Sequence, residues 1–285
     1  MSRIARRFSD LRESGRSALV TYLMAGDPDP DASLRLMHAA VAAGADILEV
    51  GMPFSDAMAD GPVIQEAAER ALSGGMSLAG TLDLVRRFRA EDPATPVVLM
   101  GYANPIETMG ERRFVDAARD AGVDGLIAVD LPPEESADLL PMLRDAGIDP
   151  IFLIAPTTTE ARMRAVCEAA SGFVYYVSLK GVTGAAGLDV ETVGRRVEGL
   201  RRWTRLPIGV GFGIRDARSA AQVARVADAV VVGSAVVTRV AEHGDDPERA
   251  VAAITELLAD MRRAMDSEVS AGAGASPTDE RESRT

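Results

Sequence analysis

A short phrase recurs along this chain and marks the points where a helix ends and a buried strand begins. Ala43-Gly44-Ala45-Asp46 precedes Ile47-Leu48. The phrase returns at 121–124, at 146–149 and, without its glycine, at 226–228. The glycine is typical of a helix C-cap, and the apolar residues after it are typical of a buried strand. Helix-like segments separate the strands, as at 134–143, 160–170 and 217–226. This alternation predicts a parallel sheet, because parallel strands need crossover connections, which are usually helices.

Eight apolar segments qualify as strands. They are 18–24, 46–50, 96–100, 125–129, 150–154, 173–178, 207–210 and 229–232. Eight βα units in 285 residues predict an α/β fold, a single (β/α)8 TIM barrel, rather than an open doubly wound sheet. We expect the barrel to cover residues 1–265, with an extra N-terminal helix before Leu11. Residues 266–285 contain almost no large apolar side chain, so we predict a disordered C-terminal tail.

The composition excludes several classes of protein. The formal net charge of −12 has the wrong sign for a nucleic-acid or anionic-membrane binder. No apolar run approaches the ~20 residues of a membrane helix, and we expect no secretory signal at the N-terminus. The single cysteine, Cys167, can form no internal disulfide. This pattern fits a reducing compartment and predicts a cytoplasmic protein.

The second predicted strand carries a carboxylate among apolar residues. In Ile47-Leu48-Glu49-Val50, the period of two puts Ile47 and Glu49 on one face and the other two residues on the opposite face. Glu49 must therefore face a core or a functional site, where desolvation raises the pKa of a carboxyl group toward the range useful for general acid–base catalysis. An ion pair in the core or a place on an edge strand explains this residue as well at this stage.

Aromatic and glycine residues collect where a barrel would hold its site, at the C-terminal ends of the strands. All four tyrosines lie in or just after predicted strands: Tyr22, Tyr102, Tyr175 and Tyr176. As a set they predict a pocket for a flat apolar group, although core packing explains any single ring. Three glycine-rich turns follow the last three strands, at 181–184, 211–214 and 233–235. Their backbone N–H groups predict a phosphate site.

The motifs around these residues closely resemble those of the tryptophan synthase alpha subunit family. The most specific is Leu-Glu-Val-Gly-Met-Pro-Phe-Ser-Asp-Ala-Met-Ala-Asp-Gly-Pro at 48–62. The others follow in the expected order: Gly-Tyr-Ala-Asn-Pro at 101–105, Ser-Leu-Lys-Gly-Val-Thr-Gly at 178–184, Gly-Phe-Gly-Ile at 211–214 and Val-Gly-Ser-Ala at 232–235. The likeness extends over residues 8–262.

The resemblance implies a lyase that cleaves indole-3-glycerol phosphate to indole and glyceraldehyde 3-phosphate by a retro-aldol reaction, without a cofactor or a metal. Glu49 is then the general acid/base, and Asp60 is the carboxylate that meets the indole N–H. Substrate-binding residues carried over from the family are Tyr22, Leu99, Tyr102, Ile127, Leu153, Tyr175, Thr183 and Phe212. Phosphate-binding residues are Gly184, Gly213, Gly233 and Ser234.

The resemblance also implies a partner, the tryptophan synthase beta subunit. The family forms an αββα heterotetramer in which pyridoxal phosphate resides on beta and indole passes between the subunits. The loop 53–60 is expected to contact beta. Ala57 stands in this loop where the family usually has proline, so the loop is expected to be freer than in most relatives.

Three other interpretations remain open at the level of the sequence. Lys180, the only lysine, lies near the end of the sixth predicted strand, where a Schiff-base aldolase could place its nucleophile. Indole-3-glycerol phosphate has no ketone to condense with an amine, so a solvated loop lysine is the better interpretation. The barrel could also act only as a binding subunit, or it could release free indole without a partner.

Overall fold

The computed structural model of the chain describes residues 1–178, 189–211 and 213–273, with side chains up to residue 267. Nine strand segments lie within these ranges: β1 (Ala18–Met24), β2 (Ile47–Gly51), β3 (Val97–Gly101), β4 (Gly125–Ala128), β5 (Asp149–Pro150), β6 (Leu153–Ile154), β7 (Val174–Val177), β8 (Ile208–Gly211) and β9 (Ala229–Val232). All the pairings between them are parallel, as the sequence predicts.

Helices connect the strands and surround the sheet. Over the described ranges they are α1 (Arg3–Glu13), α2 (Pro30–Ala42), α3 (Pro62–Ser73), α4 (Leu78–Glu91), α5 (Ala103–Met109), α6 (Glu111–Ala121), α7 (Leu139–Asp145), α8 (Glu160–Ala169), α9 (Val190–Leu200), α10 (Ala217–Ala224), α11 (Ser234–Glu242) and α12 (Pro247–Ala273). A 3₁₀ turn at Pro133–Glu135 precedes α7.

The sheet closes through the segment 149–154. Its first residues, β5, pair with β4, and its last residues, β6, pair with β7. The order of strands is therefore β5-β4-β3-β2-β1-β9-β8-β7-β6, and its two ends belong to one continuous segment. The predicted fifth strand is thus a single barrel position that is split into two short ladders, and the TIM-barrel-like α/β fold is confirmed.

The aspartate of the recurring phrase joins neighbouring strands. At three positions its backbone N–H donates to the carbonyl of a residue on the adjacent strand, and its carboxylate accepts the N–H of that same residue. The pairs are Asp46 with Leu19, Asp124 with Val97 and Asp228 with Ile208. Each carboxylate also forms an ion pair with an arginine. The pairs are Asp46 with Arg262, Asp124 with Arg89 and Asp228 with Arg201. The repeated aspartate therefore fixes the register at the N-terminal ends of these strands.

Helix α1 closes the N-terminal end of the barrel. Its buried residues Ile4, Phe8 and Leu11 pack into the cluster formed by the inward side chains of the strands. The ring of Phe8 lies 5.8 Å from that of Phe173, between centroids. This is the extra N-terminal helix predicted from the sequence.

The largest differences from the predicted element boundaries are found in two helices. The segment predicted as a helix at 134–143 is divided between the 3₁₀ turn and the shorter α7. Pro141 of α7 lacks a backbone N–H and is tolerated there because it lies in the first turn. Helix α12 runs to Ala273, past the boundary predicted at Asp266. Asp266 is held there by Arg16 at 2.8 Å and by Arg262 at 2.5 Å. Residues 274–285 lie outside the described part of the chain.

Candidate active site

A cavity of about 810 Å³ opens at the C-terminal ends of the strands. This volume lies within the range of small-molecule sites, and its place is where a TIM barrel holds its active site. The described residues that line it are Tyr22, Glu49, Asp60, Gly61, Ile64, Met100, Tyr175, Ser178, Gly213, Ile214, Arg215, Asp216, Arg218, Ser219, Gln222, Val231, Gly233, Ser234 and Ala235.

Glu49 projects into this cavity from β2. Ile47 packs in the cluster inside the barrel, whereas Leu48 and Val50 pack toward the helices, so the predicted alternation is confirmed. The Glu49 side chain is buried, and its Oε2 accepts or donates no hydrogen bond among the described residues. Burial, and secondarily the nearby charge of Asp60, raises the pKa of Glu49 from 4.5 to about 8. A carboxyl group in this state can both give and take a proton near neutral pH.

Asp60 reaches the cavity from the loop after β2, and Tyr102 holds it there. The Tyr102 hydroxyl donates to Asp60 Oδ2 at 3.0 Å and accepts the N–H of Ala59 at 3.1 Å. Burial raises the pKa of Asp60, and the hydrogen bond from Tyr102 opposes that shift. The Oδ1 atom accepts no hydrogen bond from the described residues, so it is free to accept one from a ligand.

Tyr22 and Tyr175 occupy the cavity wall next to Glu49. Tyr22 is the register partner of Glu49 in the adjacent strand, and both tyrosines are buried. Burial raises the pKa of each hydroxyl well above 10, and the charges of Glu49 and Asp60 raise it further. Each ring tip occupies the space that a Cβ would take at a glycine on the neighbouring strand, Gly51 for Tyr22 and Gly211 for Tyr175. Glycine at these two positions is thus a condition for the aromatic wall.

Another part of the cavity wall is formed by the N-terminus of a helix. Helix α11 begins at Ser234 on the cavity wall, and its N-cap residue, Gly233, supplies no side-chain cap. The neighbouring α10 differs, because the Asp216 carboxylate already accepts the Ser219 N–H at 2.8 Å. The open N-terminus of α11 therefore favours an anion. Arg215 and Arg218 also line the cavity.

Three predicted substrate-binding residues on the strands do not line the cavity in the described part of the chain. One of them points away from the cavity, and the other two lie beside it. Leu99 packs outward, toward the helices, and Met100 lines the cavity in its place, because side chains alternate along β3. Ile127 and Leu153 pack in or against the cluster inside the barrel. Their register partners, Met100 and Tyr175, are the residues on the wall.

Among the other predicted residues, Tyr102 contacts the site through Asp60. Gly213, Gly233 and Ser234 line the cavity together. The remaining predictions fall on Lys180, Thr183, Gly184 and Phe212, which lie outside the described residues.

Sequence reasoning missed several residues of the cavity. Arg218, Ser219 and Gln222 face it from α10. Gln222 lies four positions after Arg218 and three after Ser219, which is the spacing of neighbours on one helix face. That spacing was a usable signal, because the helix follows a predicted glycine-rich turn. Nothing in the sequence indicated Gln65, whose side chain bonds the loop that carries Asp60.

Metal ligands and membrane-spanning helices are both absent from the described part of the chain. Its residues include no group of three or more His, Cys, Asp or Glu side chains placed to bind a metal ion. None of the helices in the same ranges is long and apolar enough to span a membrane.

Fold and site together define a class: a (β/α)8-barrel enzyme with two carboxyl groups, Glu49 and Asp60, in the cavity at the C-terminal ends of its strands. Residues 8–266 match the family model described as tryptophan synthase alpha chain. The chain belongs to this family. It is accordingly a carbon–carbon lyase of tryptophan biosynthesis, which cleaves indole-3-glycerol phosphate to indole and glyceraldehyde 3-phosphate.

Individual relatives agree with the family model. The tryptophan synthase alpha chain of Thioalkalivibrio sulfidiphilus is 64% identical over 266 residues, which cover 93% of this chain and 100% of that one. That of Alkalilimnicola ehrlichii is 57% identical, with coverage of 93% and 97%. Among solved structures, the alpha subunit from Legionella pneumophila superimposes with a TM-score of 0.88 at 42% identity, covering 94% of this chain and 99% of that one.

Proposed function

We propose that Glu49 is the proton shuttle of the cleavage. One observation carries this proposal: a buried carboxyl group with an unpartnered oxygen faces the cavity, with a pKa of about 8. Protonated Glu49 gives its proton to the indole ring carbon that bears the side chain. The carboxylate then takes the proton of the adjacent side-chain hydroxyl. The carbon–carbon bond breaks, its electron pair returns to the ring, and an aldehyde forms on the departing fragment.

Asp60 stabilises the charge that develops in this step. Protonation of the ring carbon makes an indolenine-like cation with positive charge at nitrogen. The free Oδ1 of Asp60 accepts the N–H of that ring, while Tyr102 holds Oδ2. A fixed carboxylate at the site of developing charge stabilises the transition state more than the ground state.

The indole ring lies against Tyr22, Tyr175 and Met100, and the phosphate lies at the N-terminus of α11. Gly213, Gly233 and Ser234 present backbone N–H groups to it, and the N-terminus of α11 adds a favourable dipole. Local geometry must supply this affinity, because the net charge of −12 repels an anion.

Gly233→Val is expected to weaken phosphate binding at least tenfold. A Cβ at this position would lie 3.6 Å from Tyr22 Cβ, which is an ordinary van der Waals contact, so valine causes no clash with Tyr22. Its branched side chain would instead extend into the proposed anion site. Calorimetry with glycerol phosphate measures the effect. Gly233 is a cleaner test than Gly213, whose φ of 76° disfavours any side chain. Gly199→Val, in open space on α9, is the control, and equal affinity in both variants argues against the site.

The partner is the beta subunit of tryptophan synthase, in an αββα tetramer that hands indole to the pyridoxal phosphate enzyme in the cytoplasm. The loop 53–60 supports this proposal. It carries Asp60 into the cavity, and its Met58 side chain is 83% exposed. A partner that covers Met58 would order the same segment that positions the catalytic carboxylate, and this links assembly to catalysis.

The isolated chain is expected to cleave indole-3-glycerol phosphate slowly and to gain about tenfold or more in rate with the cognate beta subunit. Steady-state assays across a beta titration, with sedimentation to count subunits, provide the test. Met58→Asp should raise the beta concentration needed for half-maximal activation. Full activity without beta, unchanged by its addition, would indicate a stand-alone lyase that releases indole instead.

A further inference from the structure

Gln65 bridges the segment that carries Asp60. Helix α3 begins at Pro62, and Gln65 lies in its first turn, where side chains point back toward the helix N-terminus. The side-chain amide Nε2 donates to Ala57 O at 3.0 Å and to Asp60 O at 3.0 Å. One amide group therefore joins the beginning and the end of residues 57–60, which we name the Asp60 turn.

The Asp60 turn has few other attachments among the described residues. The Asp60 N–H donates to Ala57 O at 3.1 Å, which closes the turn on itself. Tyr102 contributes two hydrogen bonds, to Ala59 and to the Asp60 carboxylate. Met58 and Ala59 are exposed. Within the described ranges, Gln65 and Tyr102 are thus the two side chains that tie the turn to the rest of the barrel by hydrogen bonds to its backbone or carboxylate.

The two attachments differ in what they fix. Tyr102 holds the carboxylate of Asp60, whereas Gln65 holds the backbone from which that carboxylate extends. If the backbone shifts, Tyr102 can follow with its hydroxyl, and the free Oδ1 then moves relative to the indole N–H. A displacement of this kind matters, because about 1 Å of misplacement can cost on the order of a hundredfold in rate.

We propose that Gln65 is a positioning residue, which sets the location of the Asp60 carboxylate by holding the carbonyls of Ala57 and Asp60. This role rests on the proposed function of Asp60. Gln65 itself touches no reacting atom. Its contribution belongs to the transition state, since the misplaced carboxylate would still admit the substrate but would meet the developing charge poorly.

Gln65→Met tests the proposal, because methionine keeps the length of the side chain and removes both donors. We expect kcat to fall at least tenfold and KM to change less than threefold. Hydrogen exchange at the Asp60 amide, followed residue by residue, should accelerate at least tenfold. Gln65→Glu, an isostere that presents acceptors to two carbonyls, should behave in the same way. Glu69→Met, on an exposed position one turn further along α3, is the control for helix stability.

A double-substitution cycle separates this role from that of Asp60. In the Asp60→Asn background, Gln65→Met should lower kcat by less than threefold further, because both changes act on one carboxylate. Full additivity, or an unchanged kcat in Gln65→Met, would overturn the proposal. Full activity in Asp60→Asn alone would contradict the catalytic role of Asp60. Hydrogen exchange at the Asp60 amide tests Gln65 independently, and slow exchange retained in Gln65→Met would show that Gln65 does not hold the turn.

Discussion

Glu49→Gln is expected to keep the fold and to lower kcat by about 10²–10⁴-fold, the usual contribution of general acid–base catalysis. The amide matches the carboxyl group in size, so packing against Tyr22 and Tyr175 is preserved, but it can neither give nor take the proton. Single-turnover measurement of indole release at about pH 7 provides the value. A residual rate above about a tenth of the wild type would contradict the proton shuttle.

The same substitution should stabilise the protein. The pKa of Glu49 is raised from 4.5 to about 8 in the folded chain. Between these values the unfolded chain binds fewer protons, so the stability of the wild type falls as pH rises through this window. Glutamine escapes this loss. The gain in free energy of unfolding of Glu49→Gln over the wild type should be absent below about pH 4.5 and grow across the window. Above about pH 8 it should level off at a value on the order of a few kcal/mol.

Thermal unfolding of both proteins from about pH 5 to about pH 9 measures this difference. Glu69→Gln removes an exposed carboxylate from α3 and should show no such trend. An equal melting temperature for Glu49→Gln and the wild type at about pH 8 would mean that Glu49 ionises without penalty. Its proposed double role as acid and base would then lose its physical basis.

Asp60→Asn is expected to lower kcat by about 10²–10³-fold with little change in KM, as the loss of one preorganised charge-stabilising group does in other enzymes. Asparagine still accepts the hydrogen bond from Tyr102, so the Asp60 turn keeps its shape and only the negative charge is lost. Steady-state kinetics over a full substrate range separates the two parameters.

The control for this substitution is Asp138→Asn, at the exposed N-cap of α7, where the carboxylate makes no capping bond. It removes one charge and should leave the rate within about twofold of the wild type, since isolated surface charges contribute little. A rise in KM with kcat unchanged in Asp60→Asn would assign this residue to substrate binding in place of charge stabilisation.

Features with a local period could be predicted from the sequence. The alternation of strand and helix predicted the barrel, and the period of two along β2 placed Glu49 on the inner face. The glycine turns after the last strands predicted an anion site, and Gly213, Gly233 and Ser234 do meet on one cavity. The predictions of the barrel and of the orientation of Glu49 succeed because hydrogen bonding within an element repeats at fixed intervals, so the pattern of side chains is itself a record of the geometry. The anion site stays a prediction.

Features that depend on contacts between distant segments could not be predicted from the sequence. The same period of two places either Met100 or Leu99 on the cavity wall. Which of the two lies there depends on which face of β3 the closed barrel turns inward. The hydrogen bonds of Tyr102 and Gln65 to residues 57–60 join a strand end and a helix to an irregular loop. No period describes a loop, because its conformation is set by the side chains that the closed barrel brings around it. The sequence by itself therefore determined the barrel and the face of β2 on which Glu49 lies, while the tertiary structure alone decided how the carboxylate of Asp60 is held.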